Sequence, residues 1–241
     1  MELKGRLKLI ANKVKDCNVV SDVGTDHAYI PIYLVKNGIC AKAIAADVKE
    51  GPINAAIQNI QRYGLEDKIE ARLGDGLKPI KPGESDGIII AGMGGILITE
   101  IINARLDVAR EAKMLLLQPM NHIEDVREWL YSSGFEIYDE ELVNEGVKLY
   151  TVICARWTGK NTVKNEIDFI VGEKLVEKRD PLLGVLISRR IKQTKIALEQ
   201  IEKAERPAVD LKIKYSKLIK ELELIAAENG IEIDSHGGHI E

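Results

Sequence analysis

A chain of 241 residues with 45% hydrophobic and 30% charged side chains has the composition of an ordinary globular protein and can bury a core without staples. Its net charge of −4 excludes a globally cationic nucleic-acid binder, so any contact with RNA or DNA must come from local patches. The charged N-terminus carries no secretory signal, the uncharged run 87–99 is too short and too glycine-rich to span a bilayer, and Cys17, Cys40 and Cys154 lie in or beside apolar stretches, as buried reduced thiols do. A cytoplasmic protein with no membrane association is expected.

The chain opens on a helical pattern, with Leu7, Ile10, Ala11 and Val14 on one face. Lys4, Arg6, Lys8, Lys13 and Lys15 make this segment basic. Strands are then expected near 17–23, 43–48, 69–73, 87–91 and 113–118, alternating with helices near 28–38, 52–63, 95–104 and 122–133. Such a βαβα series implies a parallel sheet with helices on both faces. Pro52 suits the first turn of its helix, where a missing N–H costs nothing, and Gly64 closes that helix. After Gly134, FEIYDEELVNEG and VKLYTVICARW read as a terminal β-hairpin, which adds an antiparallel strand and brings the sheet to seven.

Beyond Gly159 the strand signals stop. Ile187, Ile191, Thr194, Leu198 and Ile201 recur at spacings of four and three, as do Leu211, Tyr215, Leu218, Leu222 and Ile225. These are heptad seams, and Arg206-Pro207 marks a turn between them. A strand-bearing domain over 1–159 and an α-helical coiled-coil hairpin over 160–241 are expected. The tail SHGGHIE reads as a frayed end, so His236 and His239 are not taken as metal ligands and no metal is expected.

Functional residues are sought at the carboxyl ends of the strands, where open α/β sheets bind ligands. The first strand runs into SDVGTDHA. Gly24 lets a ligand approach the backbone, but Asp26 and His27 occupy the place of further glycines. A pyrophosphate there would meet Asp26, and one charge pair at about 4 Å and an effective dielectric near 20 is worth roughly 4 kcal/mol. NAD and ATP are therefore disfavoured. S-adenosylmethionine is cationic and free of phosphate, and an acidic loop attracts it.

On that reading Asp22 receives the methionyl ammonium and Asp47, ending the second strand 23 residues after Gly24, receives the ribose diol. Asp75 in the Gly74–Gly76 turn faces the adenine amino group. Gly92, Met93, Gly94 and Gly95 leave room for a flat base, and Gln118 and Asn121 end the fifth strand at the same rim. Several of these residues also have plain structural readings. Asp26 could cap the helix that follows, His27 could be a solvated loop residue, Met93 could be core, Asn59 could be surface polar and Asn121 could cap the helix after it.

The set RLKLIANKV, SDVGTDHAYIPIYL, AADVKEGPINAAIQNI, GDGL, IAGMGG, LLLQPMN and VREWL closely resembles a bacterial family of tRNA (adenine-22-N1)-methyltransferases over about Arg6–Trp157. The resemblance implies a class I (Rossmann-like) methyltransferase fold, S-adenosyl-L-methionine as donor and tRNA as acceptor, with no obligatory protein partner evident. Through DxxxGP it adds Gly51 and Pro52 to the cofactor-binding set of Asp22, Gly24, Asp47, Asp75, Gly76, Gly92, Met93 and Gln118.

In such an enzyme the target base must leave its stack. Asp26 would stabilise the developing charge or take a proton from N6, His27 would orient the base or meet a phosphate, Tyr29 would stack, and Gly92 and Met93 would shape the slot. From 160 to 225 there are fifteen Lys/Arg against eleven Asp/Glu, concentrated at Arg189, Arg190, Lys192 and Lys195. That excess suits tRNA phosphates or a merely solvated helix face. Two other readings stay open on the residues alone: a small-molecule methyltransferase whose hairpin dimerises, and a non-catalytic RNA-binding adaptor.

Overall fold

A computed structural model describes residues 1–203 and 208–233. The expected turn at Arg206-Pro207 and the tail with His236 and His239 lie outside the described residues. The chain divides into two compact units, Met1–Lys164 and Asn165–Glu241.

The first unit is built on β1 (Val19–Val23), β2 (Lys42–Asp47), β3 (Ile69–Leu73), β4 (Gly87–Met93), β5 (Met114–Pro119), β6 (Phe135–Glu145) and β7 (Lys148–Trp157). They form one seven-stranded sheet in the order β3-β2-β1-β4-β5-β7-β6. The first five pair in parallel, and β7 is antiparallel to both β5 and β6. This is the expected mostly parallel class I sheet with its terminal hairpin. Continuous apolar runs specify the central strands. Ile88, Ile89 and Ile90 of β4 and Leu115, Leu116 and Leu117 of β5 are all buried, as strands covered on both faces must be.

Helices α1 (Gly5–Lys13), α2 (Tyr29–Lys36), α3 (Glu50–Arg62), α4 (Gly95–Ala104), α5 (Leu106–Glu111) and α6 (Ile123–Ser132) surround it. Helix α3 buries Ile53, Ala56 and Ile60, one face at helical spacing. It begins at Glu50, two residues before the expected start. Pro52 still lies in the first turn, where its absent N–H would have had no intrahelical partner. The buried Arg127 Nε donates to Glu140 Oε1 at 2.7 Å and locks α6 onto β6.

The strand order reverses beside β1: the chain winds outward through β2 to β3, then returns to place β4 on the other side of β1. Such a switch point opens a crevice at the carboxyl ends of the flanking strands. A bulge between Ala91 and Met93 turns Gly92 out of the β4–β5 ladder, which resumes with Met93 opposite Pro119.

The second unit comprises α7 (Glu166–Val171), α8 (Glu173–Glu177), α9 (Leu183–Glu202) and α10 (Val209–Glu228). Ion pairs Glu202–Lys212 at 2.7 Å and Lys195–Glu223 at 3.7 Å require α9 and α10 to run antiparallel. Helix α9 buries Ile187, Ile191 and Thr194 on the expected seam, together with Leu183. In α10 the buried residues are Ile219, Leu222 and Ala226. Leu211 is exposed, and Tyr215, Leu218 and Ile225 are only half-buried. Leu222 is buried as the spacing predicted, but a four-three spacing alone does not decide whether Leu218 or its neighbour Ile219, or Ile225 or its neighbour Ala226, faces inward, and at both places the deeper residue is the second. Among the described residues no helix is long and apolar enough to cross a membrane.

Candidate active site

Loops leaving β1, β2 and β4 build the crevice. Asp22 is buried on β1 at 7% exposure. Burial pushes its carboxyl up to about 6, a hydrogen bond with Thr25 opposes that shift, and the nearby Asp47 carboxylate adds to it. Among the described residues no lysine or arginine side chain pairs with Asp22 or Asp47. Beyond the strand, the N–H groups of Gly24 and Thr25 both donate to Ala46 O, at 2.8 and 3.0 Å. Gly24 sits at φ +76°, and a Cβ there would overlap Met93 Cε. Glycine is thus demanded twice, by a left-handed backbone and by close approach.

Thr25, not Asp26, serves the start of α2: Ala28 N–H donates to Thr25 Oγ1 at 3.2 Å. Asp26 is free of that duty. Its side chain is 78% exposed and lies 3.3 Å from His27 Nε2. The His27 and Tyr29 rings stack, 5.1 Å between centroids at 25°. Asn59 is half-buried rather than a surface residue, and its Nδ2 donates to His27 O at 3.1 Å, tying the loop to α3. Its place three residues after the buried Ala56, on the inner face of α3, was the signal for this.

On β2, Asp47 Oδ1 accepts from Lys49 N–H at 2.8 Å, and Asp47 O accepts from Gly74 N–H at 2.8 Å. Gly51 and Pro52 fall in the first turn of α3, where a Cβ at Gly51 would stand in open space. Nothing in the protein demands that glycine. Asp75 is exposed and paired with Lys78 at 2.7 Å, so any ligand it holds competes with that lysine. Gly76, at φ +55°, brings the turn against Ile101.

On β4, Gly92 has φ +76° and its N–H donates to Gln118 Oε1 at 3.2 Å. Met93 is half-buried; its methyl lies against Gly24 and its carbonyl accepts from Met120 N–H at 2.8 Å. It bridges two loops and is not a core residue. Asn121 Oδ1 accepts from Gly95 N–H at 3.3 Å, so Asn121 serves the start of α4 and leaves the cap position of α6 to His122.

Gln118 is fully buried. Its Oε1 also accepts from Arg6 Nη1 at 2.8 Å, and its Nε2 donates to Pro119 O at 2.9 Å. Arg6 was foreseen only as one of several N-terminal basic residues. Its partner Gln118 lies 112 positions away, a separation that no local pattern reports. The structure therefore brings Asp22, Gly24, Met93, Gly92 and Gln118 into one connected set. Asp26, His27 and Tyr29 stand on its β1 loop, Asp47, Gly51 and Pro52 follow β2, and Asp75 and Gly76 follow the edge strand β3.

Residues 3–153 match the family described as Methyltransferase domain. The tRNA (adenine(22)-N(1))-methyltransferase of Bacillus subtilis strain 168 is 33% identical, over 98% of this chain and 99% of the relative. A Streptococcus pneumoniae structure in complex with S-adenosyl-L-methionine superposes with a TM-score of 0.80 at 31% identity, covering 91% of this chain and 97% of that one. M. capricolum TrmK in complex with S-adenosyl-homocysteine gives a TM-score of 0.77 at 25% identity, covering 96% of this chain and 99% of that one. With the relative matched end to end and the sheet, switch point and glycine-lined crevice in place, this chain belongs to the tRNA (adenine(22)-N(1))-methyltransferase family.

Proposed function

We propose that this protein transfers a methyl group from S-adenosyl-L-methionine to N1 of adenine 22 in tRNA. One observation carries the donor half of this reading. Asp22 is a buried carboxyl without a cation partner among the described residues, beside a glycine that admits a ligand to the backbone. Burying an uncompensated carboxylate costs several kcal/mol, and a cationic ligand offsets that cost. The open space at Gly51 and Asp47, which has no cation partner among the described residues, fit the same ligand. When bound, S-adenosylmethionine supplies a methyl group activated by its sulfonium.

The roles follow from position. Asp22 receives the ammonium, Asp47 the ribose hydroxyls, and Asp75 and Gly76 flank the adenine, while Gly24, Gly51 and Pro52 leave room for backbone approach. Gln118 acts through Gly92, whose N–H it holds. N1 of adenine carries an in-plane lone pair and needs no prior deprotonation, so the chain's main work is alignment and exclusion of water. Gly92 and Met93 shape the slot, and the stacked His27 and Tyr29 offer an aromatic face to a flipped base. The exposed Asp26 carboxylate stabilises the positive charge that methylation places on the ring.

We assign catalysis to residues 1–159 and tRNA holding to the helical part, 160–241, through Arg189, Arg190, Lys192 and Lys195. The cytoplasm, where tRNA resides, is the expected location. Incubation with labelled donor and tRNA lacking native methylation, followed by nucleoside analysis, tests the reading: N1-methyladenosine at position 22 is expected, and its absence overturns the assignment.

A further inference from the structure

Three distant parts of the first unit converge on the Arg6 guanidinium. From β5, Gln118 Oε1 accepts from its Nη1 at 2.8 Å, and Met120 Sδ, just past the strand, lies 3.7 Å from the same nitrogen. From the end of β6, Glu145 takes the Arg6 backbone N–H at 2.6 Å and stands 3.7 Å from its Nε. From β7, the Tyr150 ring lies beneath the guanidinium at 5.3 Å. A Cβ at Gly5 would overlap the Glu145 carboxylate, so the preceding residue is a glycine that lets the clamp close. At Gly92, a Cβ would come to 3.4 Å from Arg6 Nη1, which places the cation directly over the turn that ends β4.

The sheet order divides the crevice. The carboxylates assigned to the donor stand over β1, β2 and β3, on Asp22, Asp47 and Asp75. Arg6 stands over β4 and β5, the half left for the acceptor. Its Nη2 donates to no group among the described residues, and its side chain keeps 28% exposure. An arginine held flat, with Nη1 fixed on Gln118, Nε beside Glu145 and Nη2 left to donate, offers a charge-assisted hydrogen bond to an anion.

The geometry points to Arg6 as a substrate-positioning residue that binds a phosphodiester flanking the target adenosine and so fixes the flipped base at the slot. This rests on the tRNA reading above. The other anion in reach of such a site is the carboxylate of the donor itself, and the experiment separates the two.

The wild-type enzyme is first required to form N1-methyladenosine in unmodified tRNA; failure there removes the functional reading and not the anchor alone. Given that activity, Arg6→Gln is expected to raise KM for tRNA by about 10- to 100-fold and to lower the slope of log KM against log salt by about 1. Affinity for S-adenosylhomocysteine, read by calorimetry, stays within twofold.

A second arm keeps the wild-type chain and changes the substrate. A tRNA with a neutral methylphosphonate on one side of the target adenosine raises KM comparably, and Arg6→Gln is indifferent to it. Wild-type indifference to methylphosphonates on both sides overturns the proposal. So does a loss of S-adenosylhomocysteine affinity in Arg6→Gln with an unchanged salt slope, which would assign the donor carboxylate instead.

Discussion

Two aspartates stand at opposite ends of β1 and titrate in opposite directions. Asp86, at the amino end, accepts from the N–H groups of Asn18 and Val19 at 2.8 and 3.0 Å and pairs with Lys113 at 2.7 Å. The Lys113 contact and then those N–H groups hold its carboxyl below the usual range. Asp22, at the carboxyl end, has the Thr25 hydrogen bond but no cation among the described residues, and burial pushes it up to about 6. The surroundings repeat the contrast. Near Asp86 opens a cavity of about 550 Å³ lined by Lys13, Lys113, Arg156 and Asp139 among others. There Lys13 pairs with Asp139 and Glu141, and Arg156 with Glu136. An acid saturated by its own protein holds the fold, whereas one left short of donors is placed for a ligand. A cavity of that size is thus no mark of the ligand-directed end of the sheet.

The sharpest test of that contrast is binding. Asp22→Asn removes a buried carboxylate that would face the donor's ammonium. It is expected to cost about 2–5 kcal/mol of S-adenosylhomocysteine affinity, or roughly 30- to several-thousand-fold in Kd by calorimetry. Asp86→Asn should leave that Kd within twofold. A comparable loss in both variants would show that the two ends are not functionally distinct.

Stability of the ligand-free protein should change with opposite sign. The Asp22 pKa is raised in the fold, from 3.8 to about 6, so the folded state holds that proton more tightly than the unfolded chain. This contribution is full below pH 3.8 and is lost as pH rises through 6, to a total of about 3 kcal/mol. Asp22→Asn is therefore expected to raise Tm at pH 8 and to leave it nearly unchanged near pH 4. The Asp86 pKa is lowered, so its contribution is present above 3.8 and is lost as pH falls through the folded value. Asp86→Asn is expected to cost about 1–2 kcal/mol at pH 7. Thermal scans from pH 4 to 8 with and without S-adenosylhomocysteine read both effects, and the ligand's increment in Tm should grow as pH rises through 6.

How much of this was legible in the sequence follows from which interactions are local. The strand runs VVSDV, AIAAD and GIIIAGM carry their own period and stop at glycine or aspartate, so β1, β2 and β4 fall within about two residues of expectation, and the residues ending them define the crevice. The hairpin of β6 and β7 was visible because no helical pattern separates the two runs. Side-chain partnerships were not visible. Thr25 rather than Asp26 meets the start of α2, Asn121 reaches back to Gly95 of α4, and Arg6 meets Gln118 and Glu145, because each pairing is fixed by how loops and strands stack and not by spacing along the chain. The α10 seam held at Leu222 and missed at Leu218 for a related reason: Leu218 and Ile219 are both apolar, and only packing chooses between them.

Gly24 tests the crevice from its floor. Gly24→Ala forces a side chain into a left-handed backbone and against Met93 Cε, and is expected to cost about 1–2 kcal/mol of stability together with several-fold in S-adenosylhomocysteine affinity. Shortening the obstructing side chain separates the two causes. In Gly24→Ala with Met93→Ala, the part due to overlap returns and the backbone part stays. Full recovery of Tm would mean that the left-handed conformation itself carries no cost here.

The smallest effect belongs at the amino end. Burial pulls the Lys13 pKa down, but hydrogen bonds to Asp139 and Glu141 outweigh it and hold the ammonium above its ordinary value. Its stabilisation is thus full at neutral pH and fades only as pH rises past 10.5. Lys13→Met keeps the apolar stem against the cavity wall while deleting the charge. The pair is part-exposed, with Asp139 at 30% and Glu141 at 38%, so the expected loss is at most about 1 kcal/mol, read as a fall in Tm that is greatest in low salt. Affinity for S-adenosylhomocysteine should not move. If Lys13→Met instead weakened donor binding as Asp22→Asn does, paired charges at one end of the sheet would be coupled to the crevice at the other, and saturation by protein partners would no longer distinguish a structural acid from a ligand-directed one.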